Sequence, residues 1–229
     1  MNNQQLALAI QLNHQANLTT FCWGEENRLI RQQIEALLKG KGDHFLYLWG
    51  AKGCGKSHLL QACCQLHPQA IYLPLDILKE WGPASIEGMA DHDLIALDNI
   101  DAIAGDAAWE EALFHLYNQV RDRAEATLLI SGQHPPASSA IQLPDLRSRL
   151  AWGLVLQLRE LNDELKITAL QQQADKRGFH LNSSVALFLI NRCGRNMHEL
   201  QRILDKLDEA SLAAQRRITV PFVKKTLGV

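Results

Sequence analysis

The sequence predicts an α/β protein, a parallel sheet covered by helices on both faces, followed by a small all-helical domain. Three observations carry that expectation. Short apolar runs alternate with amphipathic helical patterns as far as about residue 158. A glycine-rich phosphate-binding pattern lies where the first of those runs gives way to a helix. Beyond residue 158 strand signals stop and only helical periodicity remains. The 229 residues are 47% apolar and 21% charged, too apolar for disorder and long enough to bury a sizeable core.

Taken in order, residues 1–19 read as a polar tail in which Leu6, Leu8, Ile10 and Leu12 alternate strictly. Such a segment is either an edge strand on its own domain or an extended ligand whose side chains fill a partner's pockets. Residues 25–38 place Leu29, Ile30, Ile34, Leu37 and Leu38 at helical spacing, stopped by Gly40 and Gly42. Strands follow at 45–49, 70–73, 93–97, 127–130 and 154–156, with helices at 55–66 and 107–123 between them. The helical region comprises 162–177, 182–193, 196–214 and a short helix from Pro221. Asn162 and Asn182 are placed as N-caps, and Gly178 and Gly194 as helix ends. The expected division is a tail (1–19), a nucleotide-binding α/β domain (20–158) and a helical lid (159–229). Trp49, Trp81, Trp109 and Trp152 are expected in the core.

Charge and cysteines narrow the function classes. Lys plus Arg is 23 against 25 for Asp plus Glu, so no electrostatic bias draws this chain to nucleic acid or anionic lipid. Cys22, Cys54, Cys63, Cys64 and Cys193 contain no C-x-x-C pair and read as reduced thiols in the cytosol. Cys63 and His67 share a helix face, but two soft ligands without a second pair do not make a metal site. No apolar run approaches a membrane span, and the start lacks the basic residues of a signal peptide. A cytoplasmic protein with no membrane partner is expected.

The chemistry is carried by Gly50-Ala-Lys-Gly53-Cys-Gly55-Lys56-Ser57, which matches G-x-x-x-x-G-K-[ST]. Glycines let backbone N–H groups converge on phosphate oxygens, Lys56 neutralises the β/γ charge, and Ser57 ligates the Mg²⁺ that accompanies the nucleotide. A second carboxylate is needed near that cation at the end of an apolar strand, and Asp98 supplies it. Asn99 follows, where hydrolysing enzymes of this class usually carry an acid. An amide cannot accept the proton of attacking water, so intrinsic hydrolysis is expected to be slow. Asp101 is either a substitute acid or an exposed loop carboxylate. Arg147 and Arg149 precede the last strand; taken alone they read as a solvated basic turn.

The P-loop, the Asp98 strand, Ser131 at a strand end, Arg149 and the helical C-terminal region together resemble AAA+ ATPases, and more narrowly the replication initiator DnaA. Thr20-Phe-Cys-Trp-Gly24-Glu-Glu-Asn27 is similar to that family's segment ahead of the nucleotide pocket. Leu146-Arg-Ser-Arg149-Leu-Ala-Trp152-Gly153 is similar to its arginine-finger box, and Asn196-Met-His-Glu-Leu200 to its sensor-2 helix. The likeness covers about residues 18–214, and nothing after it fits a helix-turn-helix DNA-binding module. The pattern therefore resembles the Hda family of short DnaA paralogues.

That resemblance implies a negative regulator of replication initiation. Members hold ADP (or ATP) with Mg²⁺, dock on the DNA polymerase sliding clamp, and stimulate ATP hydrolysis by DnaA through a trans arginine finger, here Arg149. The clamp peptide matches Gln5, Leu6, Leu8 and Ile10, with Ala9 where proline is typical. The implied nucleotide residues are Gly50, Gly53, Gly55, Lys56, Ser57, Asp98 and Ser131. The sensor-2 arginine falls at His198, a poor phosphate clamp when neutral, and Arg195 or Arg202 stands in reach to replace it. A homo-oligomer is compatible with the family; sequence-specific DNA contact is not expected. The alternatives are a helicase-loading ATPase, against which Asn99 argues, and a DNA-binding initiator, against which the neutral charge argues.

Overall fold

In the computed structural model, residues 16–123 and 125–228 are described. Five parallel strands form one sheet: β1 (Phe45–Trp49), β2 (Ala70–Pro74), β3 (Leu94–Asp98), β4 (Thr127–Gly132) and β5 (Leu154–Gln157), in the order β2-β3-β4-β1-β5. Helices α1 (Arg28–Leu37), α2 (Lys56–Leu66), α3 (Leu75–Leu78), α4 (Ala107–Asp122) and α5 (Pro144–Trp152) lie between or beside the strands. Four more follow: α6 (Asp163–Lys176), α7 (Ser183–Cys193), α8 (Met197–Ala214) and α9 (Val220–Leu227).

Strand alternation explains the two layers. Leu46, Leu48, Leu94, Ala96 and Leu129 join Ile30, Ile34, Leu59 and Leu60 on one face of the sheet. Tyr47, Ile95, Leu97, Leu128 and Ile130 join Leu113, Leu116, Val120 and Leu146 on the other. Successive residues point to opposite faces, so a run that is apolar throughout requires helices on both sides. A separate core, including Leu170, Leu189, Leu200, Leu204 and Val223, holds α6 to α9 together. Each fully buried leucine or isoleucine contributes about 1.5–3 kcal/mol relative to exposure.

Local chemistry sets the element ends. Asp106 caps α4 by accepting from the Ala108 and Trp109 amides, and Asn162 caps α6 by accepting from Leu165 N at 2.9 Å. Asn182 precedes α7 as expected but makes no side-chain cap bond. Gly178 and Gly194 follow α6 and α7 at φ 85° and 104°, a conformation costly for other residues.

The core expectation fails at two tryptophans. Trp109 is buried, but Trp81 and Trp152 are 53% and 65% exposed. Leu29 of α1 is likewise 52% exposed, because Ile30 and Ile34 alone line the buried stripe. Ahead of α1, Ala16 is buried and a 3-10 turn over Leu18–Thr20 packs against α2.

One buried acid organises a loop remote in sequence. Glu110 on α4 accepts from the backbone amides of Gly105, Gln142 and Leu143 at 2.6–3.0 Å. The turn entering α5 is thereby fixed to α4.

Candidate functional site

The site begins where β1 ends. Trp49 O accepts from Leu158 N at 2.7 Å and Gly132 O accepts from Gly50 N, so both neighbouring strands hold the start of the loop. A Cβ on Gly50 would stand 2.3 Å from Leu158 O, which excludes any side chain there. Gly53 and Gly55 adopt φ 86° and 107°, and Gly55 leads directly into α2. Backbone N–H groups at a helix N-terminus make an anion-binding concavity.

Lys56 is buried and folded onto that loop, donating to Gly50 O at 2.7 Å and Ala51 O at 3.0 Å. Ser57 is exposed in the first turn of α2. Asp98 closes β3 and is only 5% exposed. One carboxylate oxygen accepts from Ser131 Oγ, and the other accepts from Tyr72 Oη at 2.6 Å. Ser131 Oγ in turn accepts from Asn99 N at 2.9 Å, and Asn99 takes a left-handed conformation at φ 61°. Asp101 is committed elsewhere, accepting from Gln133 N at 2.7 Å at the end of β4.

This donor set fits a nucleotide with its cation. The glycine cradle admits no Cβ, a cationic amine lies inside it, and a hydroxyl and a buried carboxylate stand nearby. Among the described residues no cluster of three or more His, Cys, Asp or Glu could hold a metal without such a ligand. Magnesium commonly binds in this way, through one or two protein oxygens plus phosphates. Cys63 is in the core with its thiol pushed up by burial, and burial pushes Cys64 up to about 12.

The segment ahead of α1 covers the loop. Phe21 lies against Gly55, where a Cβ would come within 2.9 Å of its ring, and stacks on Trp23 with centroids 4.5 Å apart. His58 faces Phe21 and bonds Asn17 O at 3.2 Å; burial lowers its pKa. Asn27 is buried and exchanges two hydrogen bonds with the Arg159 backbone, donating to O at 3.0 Å and accepting from N at 2.9 Å.

From the helical region, Asn196 reaches the loop. Its side chain fills the space beside Gly53 and donates to Lys52 O at 3.3 Å. Arg195 precedes α8 rather than sharing its face with His198, and it pairs with Asp163 at 3.2 Å. His198 lies in the first turn of α8, and its side chain is outside the described residues. Arg202 is exposed further along that helix.

Arg149 sits at the opposite rim of the sheet. Gly153, just after α5, abuts Phe45 O at the start of β1, whereas the P-loop follows the other end of that strand. At about 3.3 Å per residue the two ends are separated by about 13 Å. The Arg149 guanidinium lies 6.0 Å from the Trp152 ring centroid and, among the described residues, forms no ion pair. Arg147 is half-buried on the same short helix. Gln5, Leu6, Leu8 and Ile10 lie outside the described residues.

Tyr72, Asn196 and Asn27 are contacts that the site motif does not announce. Asn27 and Asn196 do fall within the quoted family segments, whereas nothing local marks Tyr72. Among the described residues no helix is long and apolar enough to cross a membrane.

Residues 163–227 match the family described as the lid domain of Hda. An uncharacterised protein of Haemophilus influenzae is 42% identical over 234 residues, spanning 99% of this chain and all of that one. Domain III of the Thermotoga maritima replication initiation protein DnaA superposes with a TM-score of 0.80 at 19% identity, over 95% of this chain and 98% of that one. AMPPCP-bound DnaA from Aquifex aeolicus gives 0.70 at 21%, over 85% of this chain and 65% of that one. The Thermotoga maritima RuvB branch migration motor gives 0.72 at 18%, over 95% and 73%.

Proposed function

We propose that the chain, whose residues 163–227 match the Hda lid family and whose fold is that of DnaA domain III, is an Hda-like, cytoplasmic negative regulator of DNA replication initiation that acts on DnaA. In this reading it holds ADP, or ATP, with Mg²⁺, docks on a DNA-loaded sliding clamp through Gln5, Leu6, Leu8 and Ile10, and offers Arg149 to the nucleotide of DnaA.

When bound, a nucleotide would supply a polyphosphate anion together with its cation. The loop amides of residues 50–55 and the Lys56 amine, which here donates to the Gly50 and Ala51 carbonyls, would hold the anion. Ser57 and Asp98 would hold the cation, with Asp98 oriented by Ser131. Asn99 is an amide and cannot take a proton from water, and Asp101, whose Oδ2 accepts from Gln133 N, is turned toward the end of β4. Slow intrinsic turnover follows.

The observation that carries the regulatory reading is the placement of Arg149. An arginine without an anionic partner among the described residues, at the rim away from its own P-loop, is suited to a neighbouring subunit's phosphate. A trans arginine stabilises the charge that develops as the γ-phosphate leaves and is worth several powers of ten in rate. The deciding experiment follows labelled-ATP hydrolysis by DnaA with and without this protein and clamp-loaded DNA. Acceleration only when all are present supports the reading; equal rates in every mixture reject it.

A further inference from the structure

A hydrogen-bonded chain crosses the site from the P-loop helix to β4. Gln61 Nε2 on α2 donates to Tyr72 Oη at 3.2 Å, and Tyr72 Oη donates to Asp98. Ser131 Oγ donates to the other Asp98 oxygen and accepts from Asn99 N. Gln61 stands one helical turn beyond Ser57, on the same face of α2. Tyr72 lies opposite Ala96 in the β2–β3 register, and Pro74 lies opposite Asp98, so its ring reaches along the α2 face of the sheet to the carboxylate.

A phenylalanine would fill that space equally well. The hydroxyl must therefore be explained by its partner, because burying an unpaired hydroxyl is costly. Both oxygens of Asp98 already accept a hydroxyl proton, and among the described residues no cation pairs with it.

We propose that Tyr72 is a positioning residue that competes for Asp98, holding the oxygen that a nucleotide-borne Mg²⁺ and its water shell would otherwise engage. The inference rests on the nucleotide reading of the P-loop and adds a second reason, beside Asn99, for slow turnover. Its consequence is that this site retains nucleotide with a weak dependence on the divalent cation.

The test is Tyr72→Phe in the full chain. ADP affinity is titrated in Mg²⁺ and in EDTA, and the ratio of the two constants is compared between variant and parent. The ratio of affinity in Mg²⁺ to affinity in EDTA should rise roughly tenfold or more, the scale of one hydrogen bond to a charged group. Mn²⁺ binding to the ADP complex, followed by electron paramagnetic resonance, should tighten in parallel. In an Asp98→Asn background the same substitution should leave the ratio unchanged; a rise in the parent background that is lost here separates competition for the carboxylate from a structural role of the ring, which predicts no change in either. An unchanged or smaller ratio in a variant that still binds ADP overturns the competition alone. A parent protein that fails to bind ADP overturns the P-loop reading and this inference with it.

Discussion

Lys56 carries the densest charge in the site, and its amine now rests on two loop carbonyls. Removing it leaves the amide cradle to face several phosphate charges alone. Lys56→Ala should therefore weaken ADP binding by roughly a hundredfold or more, measured by equilibrium titration, while the unfolding transition still reports a folded protein. Arg149 is the second residue on which the proposed function turns. Arg149→Ala should keep ADP affinity but lower stimulation of DnaA hydrolysis by about 10³. Arg147 is its control: two positions apart on a helix, the side chains diverge by about 200°. Arg147→Ala should change stimulation by no more than about threefold; the reverse pattern would move the finger by two residues. At this scale the glycine loop was legible because its chemistry is contiguous in sequence. Tyr72 was not, because its partner Asp98 lies 26 residues away on another strand. Asn196 meets Lys52 across 144 residues, and no local pattern encodes that.

Elements position these residues, and α5 depends on one buried acid. Glu110 gathers the Gly105, Gln142 and Leu143 amides, so Glu110→Ala strands several donors without water. Unfolding by urea should show a loss of about 3 kcal/mol, and stimulation of DnaA should fall with it as α5 loses its anchor. The segment before α1 depends on a neutral histidine. His58 has its pKa lowered from the ordinary 6.5 by burial, so the unfolded chain takes up a proton first as pH falls. Its contribution is intact above about pH 6.5 and is lost as pH drops toward the lower folded value. Hydrogen exchange at residues 16–23 should accelerate below that pH, and His58→Gln should flatten the dependence. Strands and helices were readable because apolar periodicity specifies them. Trp81 and Trp152 defeated the same logic, since an aromatic in an amphipathic stretch gives no sign of which face it takes.

For the molecule as a whole, the proposed regulation requires separable attachments: nucleotide, clamp and DnaA. Changing Gln5 and Leu6 to alanine should abolish capture by immobilised sliding clamp and leave ADP affinity within about twofold; retained capture would assign docking to another surface. The parallel sheet was predictable from alternating short strands and helices, and the observed order β2-β3-β4-β1-β5 is its realisation. What no periodicity reveals is how the helical region meets the loop. That meeting includes the side-chain amide of Asn196, seated against Gly53 and bonded to Lys52 O. Linkage makes such a contact reciprocal. A nucleotide that reshapes residues 50–55 shifts the resting angle of α8, and a partner that grips α8 alters by the same factor how tightly the nucleotide is retained. The affinity for the proposed nucleotide would thus become a quantity that a bound protein can set without ever touching the phosphates.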